Sequence, residues 1–489
     1  MKHKIILFAA SLFAAASMIS CSDYLDKQPL DGVNSATYWT TRKNVEKGLT
    51  GVYASFRVST FSGLPGGAPC VDQEVWSDNA ISGSNHKDIM QGGINPSTGG
   101  VINDMWVNCY KGIAAANYFL EHFEEASDLF TEEEMNKMRA EVLFIRTYFY
   151  NELVVHYGDV PLMLHTAKLG DGYDSMPRTP RAEVVEQMME DIDYAIKWLP
   201  DVAYTDGHAV QGSAIMLKCR ILLNDHKYAE AANLAGDYIH SGVCPFSLSD
   251  DYAGIFCGRS QINNPEIMFS IQFAAPDDYH SLDQMVASRM NVYPSFNLRE
   301  AYEDGDPRIK MTMFERGDPW INNDKTGRFE EDGNRAEGQI PFTGMAFKKY
   351  VDTTVFAPNG ATQSEQHFVK MRFADLLLMY AEAMFESGHG SDPKALKALN
   401  DVRQRPGVEM PPKTELTREI IRNERRVELA FEGIRFYDII RWDIAKDVIP
   451  TVQYNKGGNM RKFDGNLWPV PQSQMDIMRD YWQQNAPWN

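Results

Sequence analysis

The sequence predicts a mainly α protein in which helix pairs form a scaffold, while long irregular loops and a few short strands carry the ligand face. Three observations lead to this prediction. Apolar residues recur at helical spacing mainly across residues 40–60, 101–245 and 365–445. The stretches 61–100 and 274–365 are instead rich in glycine, aspartate, proline and aromatic residues without a sustained period. No charged or Pro/Ser-rich linker divides the chain, so we expect one domain.

Individual helices have recognisable ends. Thr131 and Glu134 have the spacing of a capping box, and Gly158 is expected to end the helix that follows. Pro393 is expected to open a second helix of another pair. The helix–turn–helix units resemble tetratricopeptide repeats, in which neighbouring units bury a shared core. Between the helical regions, "PEIMFSIQF" alternates apolar side chains as a strand does.

The first residues predict export and lipid attachment. Lys2 and Lys4 precede a short apolar run, and "MISC" ends at Cys21. This pattern is typical of a lipoprotein signal peptide, residues 1–20, which is removed before acyl chains anchor Cys21 in a membrane. The alternative is an ordinary signal peptide with a chance cysteine. The rest of the chain has no run suited to crossing a membrane.

Charge and cysteine content exclude several classes of function. Removing Lys2 and Lys4 with the signal peptide takes the formal charge from −19 to −21, which disfavours binding to nucleic acid or anionic lipid. The five remaining cysteines are scattered without CxxC spacing, so they predict neither a zinc site nor a disulfide framework, although one bridge can form. No catalytic metal, phosphate or nucleophile motif occurs, and we expect no cofactor. "EDGDPR" could suit calcium, but a helix-ending turn is favoured and structural calcium stays open.

A pair of glutamates near the C-terminus could be mistaken for an active site. In "NERRVELAFEGIRFYDIIRW", Glu424 and Glu428 lie one helical turn apart on the apolar face of a helix that Thr414 can cap. Buried carboxylates need cations. Gly433 is expected to end the helix, so that the next short helix can bring Arg435 and Arg441 back as partners. We therefore interpret the two glutamates as structural ion pairs.

Glycoside hydrolysis is the alternative interpretation of this glutamate pair. It needs two carboxyls separated by about 5 Å or about 6.5–9.5 Å, and residues one helical turn apart could meet the shorter distance. The general acid also needs a raised pKa, whereas surrounding arginines lower it. The pattern consequently favours a protein that is not an enzyme.

The same segment carries a resemblance that extends over nearly the whole chain. "LTREIIRNERRVELAFEGIRFYDIIRW" resembles the C-terminal signature of the SusD/RagB family of surface lipoproteins, which partner SusC-like TonB-dependent transporters. Further matches are "SCSDYLDKQP", "YWTTRKNVEKGLTGVYASF", "FADLLLMYAEAMFESG", "ALNDVRQRPG", the "DPRI" after "LREAYEDG", and "LWPVPQSQM". The sequence departs from the family at Pro406, where alanine is usual, and in its "QQNAPWN" ending. The resemblance implies a tetratricopeptide-like helical fold, a surface site for glycans (or peptides in the RagB branch), and no catalysis.

Candidate ligand residues lie in both irregular regions. Sugars are recognised by aromatic faces beside planar hydrogen-bonding groups, and the resemblance implies that the ligand site draws on these two regions. We select Trp76 and Trp320 as the main stacking residues. The full set is Trp76, Asp78 and Asn79 from the first region and Tyr279, Arg289, Tyr293 and Trp320 from the second. For each aromatic residue, the alternative is that it anchors its loop in the core.

These observations give one leading function and three alternatives. The leading hypothesis is a glycan-binding lipoprotein, exposed on the outer membrane, that captures oligosaccharide and delivers it to a SusC-like transporter. The alternatives are a RagB-type peptide-binding lipoprotein, a helical-repeat adaptor without a small ligand, and a secreted glycosidase. The sequence does not specify which glycan is bound.

Overall fold

The computed structural model describes residues 38–58, 69–83, 86–168, 170–172, 175–283, 292–322, 325–328, 342–352, 363–478 and 480–489. Helices dominate these residues and strands are few and short, which confirms the predicted fold class. The predictions for the signal peptide, for Cys21 and for Arg289 lie outside the described residues.

Sixteen helices are numbered here in chain order. They are α1 Arg42–Tyr53, α2 Pro69–Gln73, α3 Lys87–Gln91, α4 Val101–His122, α5 Glu132–Tyr157, α6 Arg181–Trp198, α7 Gln211–Asn224, α8 Tyr228–Ile239, α9 Phe296–Ala301, α10 Arg308–Thr312, α11 Phe373–Met384, α12 Pro393–Gln404, α13 Arg418–Glu428, α14 Arg435–Arg441, α15 Ala445–Val448 and α16 Gln472–Met478.

The long helices pack in sequence order, as repeat units do. Helix α4 packs on α5, α5 on α6, α6 on α7 and α7 on α8. The stack continues with α8 on α11 and α11 on α12. Gly112 permits the close approach of α4 and α5, because a Cβ atom there would lie 2.2 Å from the ring of Phe149. The described helices therefore form the tetratricopeptide-like scaffold that the sequence predicts.

Local capping explains where the helices begin. The capping box before α5 is confirmed: Thr131 Oγ1 accepts from the Glu134 amide at 3.2 Å, and Glu134 accepts from the Thr131 amide at 2.8 Å. Pro393 opens α12 as predicted, after the N-cap Asp392. The predicted cap at Thr414 is wrong. Helix α13 begins three residues later, because Thr417 has the extended backbone of an N-cap and its hydroxyl accepts from the Ile420 amide at 3.1 Å.

The described strands form four separate antiparallel pairs. They are β1 Ala80–Ser82 with β3 Val292–Pro294, β2 Ile267–Ile271 with β8 Phe368–Arg372, β4 Met313–Glu315 with β7 Met345–Phe347, and β5 Pro319–Asn322 with β6 Lys325–Arg328. The strand predicted in "PEIMFSIQF" is confirmed as β2. All five of its residues are buried, so it is covered on both faces rather than on one.

Within the described residues, large apolar side chains form a cluster that extends from Trp39 to Trp482. No described helix is long and apolar enough to span a membrane. Among the cysteines whose side chains are described, Cys109, Cys219, Cys244 and Cys257 are free. No group of three or more potential metal-binding side chains occurs among the described residues.

Candidate functional site

The two irregular regions meet at the β1–β3 pair. Ala80 lies opposite Pro294, and Ile81 lies opposite Tyr293. Ser295 strengthens the junction, since its amide donates to the Asn79 carbonyl at 2.8 Å and its hydroxyl donates to the Asp78 carbonyl at 2.7 Å. The same hydroxyl accepts from the Leu298 amide at 3.1 Å and so caps α9. Backbone pairing and hydrogen bonds therefore join the first region to part of the second.

Trp76 is buried close to this junction. Its side chain is only 2% exposed, and its ring packs edge-on against Trp468, His156 and Phe436 at centroid distances of 4.9, 5.6 and 5.7 Å. The indole N–H donates to His86 Nδ1 at 2.9 Å. A stacking residue must present a free face to the sugar, so the prediction of Trp76 as a stacking residue is wrong. The alternative interpretation, a core anchor for the loop, is confirmed.

Asp78 and Asn79 are also unavailable to a ligand. Both are buried, and the Asp78 carboxylate pairs with Arg435 at 2.8 Å and Arg426 at 2.9 Å. Burial alone would raise the pKa of Asp78, but the two guanidinium charges outweigh it and hold the pKa far below its usual range. Asn79 Oδ1 accepts from Arg426 Nε at 2.8 Å. These contacts fasten the loop to α13 and α14, so the prediction that both side chains bind sugar hydroxyls is wrong.

Glu74 completes the attachment of the loop, and no cationic side chain of the described residues forms an ion pair with it. Its carboxylate is 1% exposed, and it accepts from Asn79 Nδ2 at 2.8 Å and from the Gly433 amide at 3.0 Å. Burial raises the pKa of Glu74 to about 7, although these two hydrogen bonds act in the opposite direction. This carboxyl consequently titrates near neutrality at the base of the loop.

Three aromatic rings at and around the junction form a group that we call the β3 aromatic patch: the exposed Phe296 and the half-buried Tyr293 and Phe342. Tyr293 is half-buried, and its hydroxyl lies over Gly83, 3.6 Å from where a Cβ atom would be. Phe296 is 42% exposed and meets Phe342 edge-on, with ring centroids 5.7 Å apart. The patch therefore offers aromatic faces to a ligand where both irregular regions contribute backbone.

Sequence reasoning selected Tyr293 but missed both phenylalanines of the patch. A signal for Phe296 exists in "PSFNL", because Ser295 as an N-cap places Phe296 at the first helical position, where a side chain need not face the core. Phe342 offers no such signal. It follows a long irregular stretch, and only the tertiary structure brings its ring to Phe296.

The remaining candidates lie on other parts of the second region. Tyr279 is 39% exposed on a turn that Arg57 holds through an ion pair with Asp278 and a cation–π contact with Phe273, 4.1 Å from the ring centroid. Trp320 lies in β5 opposite Gly327. Its side chain, like the whole of Arg289, lies outside the described part of the chain.

The paired glutamates are structural, as predicted, but their partners differ from the prediction. Glu424 is 2% exposed and Glu428 is fully buried. Glu424 accepts from Arg308 and Arg403, each at 2.6 Å. Glu428 accepts from Arg308 and from Arg372, each at 2.8 Å, and from Arg405. Every oxygen of both carboxylates thus accepts from a guanidinium group, which does not provide the protonated acid that glycoside hydrolysis needs.

Arg435 and Arg441 neutralise other carboxylates. Arg435 binds Asp78, whereas Arg441 binds Glu382 and Asp438. The prediction that they pair with Glu424 and Glu428 is therefore wrong. The sequence could not reveal the true partners, because they come from α10, β8, α12 and the turn after α12. They form an arginine–glutamate cluster whose members are Glu266, Glu424, Glu428, Glu432, Arg308, Arg372, Arg403 and Arg405.

Two family models match most of the chain. The model described as "SusD family" matches residues 294–488, and the model described as "Starch-binding associating with outer membrane" matches residues 23–223. The chain belongs to the SusD/RagB family. This is a carbohydrate-binding family associated with the outer membrane, whose members are known as binding proteins rather than enzymes.

The similarity to relatives and to solved structures extends along nearly the full length of the chain. The chain is 24% identical to "SusD-like protein P2" of Formosa agariphila, over 98% of this chain and 95% of the relative. It superposes on a SusD-like carbohydrate-binding protein from Bacteroides fragilis with a TM-score of 0.77 and 24% identity, covering 90% of this chain and 99% of that one. It also superposes on surface glycan-binding protein A from Bacteroides fluxus with a TM-score of 0.74 and 19% identity, covering 92% and 100%. At these identities the structural likeness shows the fold alone.

Proposed function

We propose that the protein is a cell-surface glycan-binding lipoprotein that captures oligosaccharide or polysaccharide and delivers it to a SusC-like TonB-dependent outer-membrane transporter. In this proposal residues 21–489 form the mature single domain, and acyl chains on Cys21 hold it at the outer membrane. The observation that carries the proposal is the β3 aromatic patch, which exposes aromatic faces in a family of carbohydrate-binding proteins.

The patch suits a sugar for physical reasons. Pyranose rings present apolar C–H faces that pack on aromatic rings, and a part-exposed ring offers such a face without refolding. The backbone beneath the patch is fixed by Ser295 and by the ion pairs of Asp78. A ligand therefore meets a preorganised surface and does not have to order the loop, which reduces the entropic cost of binding.

The predicted residues of the second region extend this surface in the proposal. We propose that Trp320 and Arg289 contribute, respectively, a stacking face and hydrogen bonds to hydroxyl groups. Tyr279 would add a separate contact along a longer glycan. Tyr293 contributes through its hydroxyl and its half-buried ring, within the β3 aromatic patch.

The test compares aromatic residues of the irregular regions with an aromatic residue of the helical scaffold. Binding of a glycan panel is measured by affinity electrophoresis and then by calorimetry, with circular dichroism to check the fold. We expect Phe296→Ala and Trp320→Ala each to weaken glycan binding by more than about 1 kcal/mol, as truncation of an aromatic hot spot does. Tyr118→Ala is the matched control, because Tyr118 on α4 is 39% exposed but lies outside both irregular regions.

Three results would contradict the proposal. Folded Phe296 and Trp320 variants that bind like the parent would place the glycan site elsewhere. Retention of peptides but of no glycan would favour the RagB-type alternative. Hydrolysis of a glycan by the protein would favour the alternative of a secreted glycosidase. Delivery of the glycan is tested separately, by measuring glycan uptake in cells with and without the SusC-like transporter.

A further inference from the structure

A second concave surface lies on the helical scaffold, away from both irregular regions. It is a cleft of about 520 Å³ between α4, residues 161–167 with Met176, and α16. Its floor is formed by Trp106, Met478 and Trp482, which are all nearly buried. Volumes of this size are typical of pockets that hold small ligands or single segments of a partner.

The walls of the cleft are held in place by hydrogen bonds between side chains and backbone. Tyr110 donates its hydroxyl to the Pro161 carbonyl at 2.8 Å. Asn117 Nδ2 donates to the Met163 carbonyl at 2.9 Å, and Trp482 Nε1 donates to the Met176 carbonyl at 2.8 Å. The cleft is therefore preformed. These bonds also occupy the hydroxyl of Tyr110 and the indole N–H of Trp482. They leave the apolar surface of both rings for contact, which does not favour the many hydroxyl groups of a sugar.

Apolar side chains continue from the cleft onto the open surface. Ile477 at its mouth is 62% exposed, and the nearby Tyr481 is 60% exposed. Met163 and Met176 line the walls and are partly exposed. Exposed apolar groups beside a pocket mark sites of interaction, and methionine side chains adapt to differently shaped apolar partners.

The charge at the cleft points to an anionic partner. Among the described lining residues, Lys111 and His165 are basic and none is an aspartate or a glutamate, although the whole chain has a formal charge of −19. Lys111 is exposed and makes no ion pair within the described part of the chain, whereas His165 lies 4.0 Å from Glu121. The side-chain amide of Gln474, also at the cleft, forms no hydrogen bond with described residues. A cation and a free amide thus border an apolar floor.

We propose that this cleft binds an apolar polypeptide segment that ends in a free C-terminal carboxylate. The carboxylate pairs with Lys111, the main-chain amides bond to Gln474, and the large side chains of the segment cover the apolar floor and Ile477. The amide of Gln474 and the breadth of the apolar mouth favour a peptide over a single unbranched acyl chain.

The experiment uses the full mature protein and a fluorescein-labelled peptide, Gly-Leu-Ile-Phe, with either a free or an amidated C-terminus. Binding is measured by fluorescence anisotropy. We expect saturable binding of the free-carboxylate peptide, weakened about tenfold by amidation, which corresponds to about 1.4 kcal/mol. Lys111→Glu should weaken binding of the free-carboxylate peptide by a similar factor. It should also abolish the difference in affinity between the two peptides. Ala114→Trp, which fills the cleft from an exposed lining position, should abolish binding of both.

Matched controls separate these effects from general changes in charge or bulk. Lys47→Glu alters an exposed lysine of α1, and Ala182→Trp adds an indole at an exposed alanine of α6. Both control variants should bind the peptide like the parent. All four variants should retain glycan binding, so that this proposal and the proposed function fail independently.

Four outcomes would overturn the proposal: no saturable peptide binding, equal binding of the two peptides, binding unaffected by Ala114→Trp, or binding of dodecanoate but of neither peptide. Sedimentation velocity supplies a fifth. Self-association of the parent that Ala114→Trp abolishes would identify a second copy of the chain as the occupant instead.

Discussion

Removing one glutamate from the arginine–glutamate cluster should test whether the family's C-terminal signature is structural. Glu428 accepts hydrogen bonds from three guanidinium groups, and Glu424 accepts from two. Glu428→Ala should therefore destabilise the protein more than Glu424→Ala. In both variants, Arg308 keeps its ion pair with Asp306 at 2.7 Å, so it is not left without a counter-ion.

The expected magnitude follows from the burial of the groups. Breaking a buried ion pair lowers the free energy of unfolding by about 3–5 kcal/mol. We expect Glu424→Ala to lie near the lower end of this range and Glu428→Ala near the upper end. Unfolding entropy is about 2.1 cal/mol/K per residue, so a chain of this length should lose roughly 1 °C of Tm per kcal/mol if it unfolds cooperatively. The two variants should thus melt about 3 and 5 °C below the parent.

Melting is followed by scanning calorimetry and checked by urea titration. Glu303→Ala is the matched control, since Glu303 also pairs with Arg403 but its side chain is 38% exposed. Glu303→Ala should lower the free energy of unfolding by at most about 1 kcal/mol. The structural interpretation would be refuted if Glu424→Ala and Glu428→Ala melt like the parent. If they also lost a measurable glycan-hydrolysing rate, the glutamates would be catalytic.

Three further predictions concern other parts of the molecule. Burial raises the pKa of Glu74 from 4.5 to about 7, so the folded state holds this proton more tightly than the unfolded state. The contribution of Glu74 to stability therefore falls as the pH rises between these two pKa values. The Tm of the parent relative to Glu74→Gln should accordingly fall between pH 4.5 and 7 and level off above it, and a constant difference would contradict the raised pKa. Gly112→Ala should destabilise the protein by about 1–3 kcal/mol through overpacking against Phe149, whereas Gly51→Ala, which meets nothing within 4 Å, should be neutral or stabilising in the same urea titration. Cys21→Ala should release the protein from membrane fractions and abolish labelling with radioactive palmitate, and a variant still membrane-bound in cells lacking the transporter would argue against the lipid anchor.

Much of the helical framework could be predicted from the sequence because its signals are local. The Thr131 capping box and the first-turn Pro393 depend on residues a few positions apart, and both occur where expected. Thr414 shows the limit of this reasoning. Thr414 and Thr417 are both acceptable caps by residue type, but only in the structure is Thr417 seen to have the extended backbone and the hydrogen bond of the N-cap.

The candidate site was less predictable because exposure is a tertiary property. Trp76 and Phe296 are both large aromatic residues of the irregular regions, yet one is 2% exposed and the other 42%. The difference arises because residues far along the chain, such as Trp468 and Phe436, enclose the indole of Trp76. The residue type and the local sequence pattern do not show which distant residues will surround a side chain.

By itself, the sequence determined the helical class of the protein, its family and the burial of Glu424 and Glu428, because periodicity and motifs are properties of neighbouring residues. Only the tertiary structure decided which arginines neutralise those glutamates and which aromatic rings remain exposed. The physical reason is that buried charge must be paired by whichever cation the fold brings within hydrogen-bonding distance. Here those cations come from Arg308, Arg372 and Arg405 as well as Arg403, at sequence separations from 21 to 120 residues.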